Sequence, residues 1–140
     1  MDLLADGSPL VEPRGGLGAT FRSQWSMESL ACAGCAESFP AVVEALHPAH
    51  PDSRFALLTS RNDEVIRGYF GFGWEDMGPE VDALLDASYS GPNSAAFVVD
   101  GTAHVLLSDP LLTGSGGVTL LSFVQGWAQR DQPLRSVRPR

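Results

Sequence analysis

Arg54-Phe55-Ala56-Leu57-Leu58-Thr59-Ser60-Arg61-Asn62-Asp63 is the stretch that decides the fold class of this 140-residue chain. From Phe55 to Ser60 the run is continuously apolar or small and is bounded by turn residues, the mark of a strand covered on both faces. Asp63 follows as the natural N-cap of a short helix, Glu64 to Phe70. A second buried strand is expected at Ala95-Ala96-Phe97-Val98-Val99, again followed by a polar turn, Asp100-Gly101-Thr102-Ala103-His104.

The remaining elements fall into place around these two strands. Residues 2–5 read as a short strand stopped by Asp6-Gly7-Ser8-Pro9, a dense turn signal. Residues 12–18, with Pro13 and three glycines, are loop, and residues 19–31 fit a helix only moderately. Glu37 to Leu46 fits better, with Phe39, Val42, Val43 and Leu46 on one face and Pro40 in the first turn. His47-Pro48-Ala49-His50-Pro51 is expected to end that helix and to be solvated. Pro79 to Tyr89 is an amphipathic helix with Val81, Leu84 and Leu85 inward, Val118 to Arg130 is the last long helix, and residues 131–140 read as a loose tail. Apolar strands alternating with helices give an α/β architecture with a parallel sheet. About three strands make a meagre sheet, and the chain opens on one of them. Residues 1–130 are therefore expected to be the C-terminal part of a larger α/β domain.

Composition restricts the function. Lys+Arg number 9 against 17 Asp+Glu, a net charge of -8, which is the wrong sign for gripping nucleic-acid phosphates or anionic lipid. All nine bases are arginine, which excludes a Schiff-base or P-loop lysine. No apolar run approaches the roughly 20 residues of a membrane-spanning helix. Met1 to Asp6 has neither the basic nor the long apolar region of a signal peptide. Neither a nucleic acid nor a membrane is expected as a partner.

In open α/β sheets ligands sit beyond the carboxyl ends of the strands. Two loops there carry reactive groups, Ser60-Arg61-Asn62-Asp63 and Asp100-Gly101-Thr102-Ala103-His104. If their strands are neighbours, Asp63 and His104 emerge on one rim within reach of a carboxylate–imidazole hydrogen bond. Such a pair is the acid and base of a nucleophilic triad, the acid fixing the tautomer and the imidazole moving the proton. Taken singly, Asp63 is more simply a helix cap and His104 a polar turn residue. The nucleophile is missing: no G-x-S-x-G occurs, Gly114-Ser115-Gly116-Gly117 lies after His104 without a strand before it, and Ser8 is followed by Pro9 in a turn. No His and Cys spacing completes a zinc site, and no metal or organic cofactor is expected.

Cys32-Ala33-Gly34-Cys35 offers a competing reading as a thioredoxin-like redox pair, with a thiol activated at a helix N-terminus. The simpler reading is a short local disulfide, or two buried thiols, pinning a loop. No buried strand leads into the motif.

Several segments together resemble the C-terminal half of the pectinacetylesterase family, α/β-hydrolases that include Notum-type carboxylesterases. They are Leu4-Ala5-Asp6-Gly7-Ser8-Pro9, Trp25 ahead of Cys32-x-x-Cys35, Arg54 to Ser60 with Asp63-Glu64-Val65-Ile66, and Phe97 to His104. By that resemblance Asp63 is the triad acid and His104 the triad base, and the reaction is ester hydrolysis through an acyl-enzyme without a cofactor. The family's serine and its oxyanion donors have no counterpart here. The resemblance also implies secretion, or export to the periplasm, which suits a Cys32–Cys35 disulfide. The expected function is thus an acetylester-type carboxylesterase fragment supplying two triad members and inactive alone, acting on small or polysaccharide-linked esters once completed by an N-terminal half. The alternatives are a thiol oxidoreductase using Cys32 and Cys35, or a non-catalytic hydrolase remnant working as an interaction domain. An unpaired edge on the first strand would favour self-association.

Overall fold

Phe55–Ser60 (β2) forms the middle of a three-stranded sheet in a computed structural model that describes residues 2–130 and 132–139. Leu3–Asp6 (β1) lies on one side of it and Ser94–Val99 (β3) on the other, both parallel. In register, Leu3 faces Phe55, and Phe55 faces Ser94. Every residue of β2 is buried, as its sequence requires.

Because side chains alternate along a strand, the sheet serves two cores. Phe55, Leu57, Ala96 and Val98 pack with Val43, Phe70, Val81 and Leu85 on one face. These partners come from Phe39–Ala49 (α2), Glu64–Phe70 (α3) and Met77–Ser88 (α4). Ala56, Leu58, Ala95 and Phe97 point the other way, against Leu120 and Phe123 of Leu120–Ala128 (α5). Leu17–Gln24 (α1) and a single 3-10 turn, Met27–Ser29, connect β1 to α2. The coarse expectation of a small parallel α/β sheet with flanking helices is what the chain forms.

Arg54 ties the start of β2 to the end of α5. It is 8% exposed, and its guanidinium donates to the carbonyls of Trp127 at 2.6 Å, Gln129 at 2.7 Å and Gln132. The Trp127 carbonyl belongs to the last turn of α5, which a helix end leaves without an intrahelical donor, and a cation there also suits the helix dipole.

Three expectations need correction. The helix read as Glu37 to Leu46 runs from Phe39 to Ala49, so His47 and Pro48 lie inside its last turn. His47 is half-buried rather than fully solvated. Its ring packs on Phe55, centroids 4.3 Å apart, and meets the edge of Tyr89 at 5.4 Å. Pro48 cannot donate an N–H and its ring crowds the carbonyl four residues back, yet the helix runs through it to Ala49. The last helix starts at Leu120 rather than Val118, because the Thr119 hydroxyl accepts from the Ser122 N–H and caps it. Finally, the segment read as a loose tail is partly docked. Val137 exchanges backbone hydrogen bonds with β3, accepting from Val98 and donating to Ala96, each at 2.8 Å. Leu134 packs on the α5 core, and Asp131 and Arg140, which belong to the same expectation, lie outside the described residues. One sheet edge is therefore closed by Val137. Among the described residues β1 has no strand on its other side, and Leu3 there is 39% exposed.

Candidate active site

The two expected site residues meet. Asp63, 0% exposed, turns one carboxylate oxygen to the helix it begins and the other to His104. Its Oδ1 accepts from the Val65 and Ile66 N–H groups, both at 3.0 Å, and so caps α3. Its Oδ2 lies 2.9 Å from Nδ1 of His104. A carboxylate can only accept, so Nδ1 carries the proton and the lone pair of the neutral ring sits on Nε2. The structure records one hydrogen bond for the imidazole, the one at Nδ1, and the side chain is 34% exposed. The ring edge turned from Asp63 is thus a base with access to solvent. The capping role and the histidine-orienting role, which looked like alternatives in the sequence, are held by one side chain.

The loop after β3 is led to this position residue by residue. The Asn62 N–H donates to the Gly101 carbonyl at 3.1 Å, the Glu64 N–H to the Thr102 carbonyl at 3.0 Å, and the Ser60 hydroxyl to the Ala103 carbonyl at 2.8 Å. Beyond His104, Asp6 at the end of β1 accepts from the Leu106 N–H at 2.9 Å and the Leu107 N–H at 3.0 Å. Asp6 is therefore a positioning residue that the sequence reading took only as part of a turn. Gly7 is a second one. Its φ of +69° is left-handed, and a Cβ there would overlap the His104 carbonyl. The available signal was an Asp-Gly pair at the carboxyl end of a strand, the same rim as the other site loops.

Asp100, the next acid in the sequence, does not compete for His104. It is exposed, with Arg61 as its nearest recorded partner at 3.7 Å. Among the described residues no group of three or more His, Cys, Asp or Glu is arranged to hold a metal ion.

A cavity of about 240 Å³ opens beside the imidazole. Ser8 and Pro9 from β1's loop, Trp25, and Val65, Ile66 and Tyr69 of α3 line it together with His104. Ser8 shares this cavity, but no hydrogen bond joins it to His104. A larger cavity, about 560 Å³, lies past the end of β3 between Ser60, Asp100, Thr102 and Ser115. Neither Asp63 nor His104 lines it, so size alone is a poor guide here, and the smaller cavity is the one in contact with the base.

Cys32 and Cys35 are joined as a disulfide, with Cα atoms 5.6 Å apart. Cys35 is fully buried, and α2 begins only at Phe39, four residues later. Neither sulfur therefore occupies the helix N-terminus that activates a redox thiol. The Phe39 N–H that opens the helix donates to Glu12, which also pairs with Arg22, so the bridge sits in a loop pinned between α1 and α2.

Trp127 Nε1 and Ser88 Oγ, among others, are buried without a partner in the described residues, and none of these residues lines the cavity beside His104. Comparison with known proteins finds no matching family model, no matching curated protein and no matching solved structure.

Proposed function

We propose that the chain provides the acid and the base of a Ser-His-Asp carboxylic-ester hydrolase, Asp63 as acid and His104 as base, with the nucleophilic hydroxyl contributed from outside these residues. The observation that carries this reading is the 2.9 Å bond from His104 Nδ1 to a carboxylate with no exposed surface. In this mechanism Nε2 accepts the hydroxyl proton as the oxygen bonds to the acyl carbon. It returns that proton to the departing alkoxide as the ester C–O bond breaks, and water repeats the sequence to release the acid. Asp63 holds the ring in the competent tautomer and stabilises the imidazolium formed between the two steps. The resemblance to pectinacetylesterases described above agrees in chain order, acid before histidine, and in the rim on which both lie.

The test uses the chain as it is. The triad is incomplete without the outside hydroxyl, but the free Nε2 lone pair is itself nucleophilic, so the chain should consume an activated nitrophenyl ester in excess of what a single exposed histidine consumes. His104→Ala should abolish that excess, and the same change at the exposed His50 should leave it intact. Equal rates for the two variants would refute the assignment.

A further inference from the structure

The cavity beside His104 has a composition that selects a ligand. Its walls are apolar except for the Ser8 edge and the imidazole itself. Two of its members, Trp25 and Tyr69, are 54% and 67% exposed, although both are large aromatic side chains. Scattered exposed aromatics are ordinary, but these two border one cavity, which also holds the reactive group.

They are stacked on neighbouring rings. Phe21 of α1 stacks on Trp25 with centroids 5.5 Å apart and planes 16° from parallel, and on Tyr69 at 6.1 Å and 23°. Phe39 meets Trp25 edge-on at 5.4 Å and lies 5.9 Å from Phe70. The five rings therefore form a continuous aromatic cluster drawn from α1, α2 and α3, and three of them, Trp25, Tyr69 and Phe70, line the cavity. Nothing else among the described residues covers it.

From this we infer that the cavity binds an aromatic carboxyl group, a benzoyl-sized acyl unit, with its ring against Trp25 and Tyr69 and its carbonyl carbon beside His104. The inference rests on the ester-hydrolase reading and names its substrate class. Size favours it. A cavity of about 150 Å³ lined by aliphatic and aromatic side chains accommodates benzene, so about 240 Å³ holds a ring and its carboxyl carbon. It falls below the roughly 300 Å³ at which drug-sized ligands begin. Chemistry favours it as well, because ring faces and edges complement one another in offset and edge-on arrangements. An acetyl group would leave most of the wall wet.

Binding can be separated from turnover with benzamide, which carries the ring and carbonyl but no ester. Titrated into the chain and followed by amide NMR, benzamide should saturably shift Ile66, Tyr69 and His104, with acetamide at least tenfold weaker at the same signals. That ratio corresponds to about 1.4 kcal/mol. Val65→Trp should abolish the benzamide shifts by filling the cavity. Val65 is 43% exposed, so the larger side chain does not enter the core, and its backbone keeps the Asp63 cap. His104→Ala should retain benzamide binding. Equal affinity for benzamide and acetamide, or shifts that survive Val65→Trp, would overturn the inference. If benzamide binds and is blocked while His104-dependent hydrolysis is absent, the acyl-site inference stands and the hydrolase reading falls. Hydrolysis that depends on His104 but shows no benzoyl preference over acetyl would do the reverse.

Discussion

Replacing Asp63 by asparagine and by alanine separates its two roles. Asparagine keeps a carbonyl oxygen where Oδ1 accepts from Val65 and Ile66, both at 3.0 Å, so the cap on α3 survives. Its amide then donates toward Nδ1 of His104, which can receive it only by giving up its proton. The ring is driven to the Nε2–H tautomer, and its free lone pair is lost from the exposed edge. The stability cost is the charge beside a helix N-terminus, about 0.3–1 kcal/mol, plus the difference between a charge-assisted and a neutral hydrogen bond, about 1 kcal/mol. Asn should therefore lose about 1–2 kcal/mol. Alanine additionally strips the cap, about 1 kcal/mol, and leaves Nδ1–H without its acceptor, about another 1 kcal/mol. Its loss should be about 3–4 kcal/mol. Urea unfolding reads the stabilities, and long-range proton–nitrogen NMR of the His104 ring reads the tautomer. In a completed triad the asparagine variant should lose about 10⁴ in turnover while staying folded, as a wrong tautomer does elsewhere. Equal destabilisation by Asn and Ala would show that the cap contributes nothing. A proton remaining on Nδ1 in the Asn variant would show that Asp63 does not set the tautomer.

Other parts of the fold can be tested in the same way. Arg54→Met keeps the apolar stem but removes the donors to Trp127, Gln129 and Gln132, and should cost about 3 kcal/mol in urea unfolding; a loss below about 1 kcal/mol would mean that water replaces the guanidinium. Burial on Phe55 and Tyr89 lowers the His47 pKa below its ordinary 6.5, so the unfolded chain binds more protons at this residue. Stability from His47 is thus fully present above pH 6.5 and is lost as the pH falls through the folded pKa. The difference between unfolding at pH 7.5 and 5.5, conditions chosen to be about one unit either side of that value, should shrink in His47→Gln; an unchanged difference would place the titration elsewhere. Gly7→Ala combines a strained left-handed φ with overlap on the His104 carbonyl, and should cost about 2–3 kcal/mol while shifting the His104 NMR signals. A folded Gly7→Ala protein with unshifted His104 would show that β1's loop does not position the base.

What the sequence made legible is what local chemistry determines. The continuous apolar runs at Phe55 and Phe97 announced strands buried on both faces, and Asp63 announced a helix start because its side chain caps the N–H groups two and three residues on. Both reactive residues fall directly after these strands, so their common rim followed from topology alone. The parts that escaped depend on contacts far apart in the chain. Asp6 acts on residues 106 and 107, a hundred positions away, and no periodicity encodes such a contact. Val137 closes the sheet from within a proline- and arginine-rich segment whose composition says linker. His47 directly precedes Pro48, with Pro51 three residues further on, a context that reads as a turn until Phe55 and Tyr89 are known to face it.

The path of residues 100–107 gives β1 a larger part in the site than its four residues suggest. Gly101, Thr102 and Ala103 rest successively on the loop that follows β2, and Leu106 and Leu107 rest on Asp6 at the end of β1. A loop that leaves the last strand thus crosses over the middle one and lands on the first. His104 is delivered away from the edge that Val137 closes and toward the edge where β1 is unpaired. Its carbonyl abuts Gly7 there, and its side chain borders Ser8. If the chain is completed as proposed, we expect the outside hydroxyl to enter along that edge, beside Gly7 and Ser8.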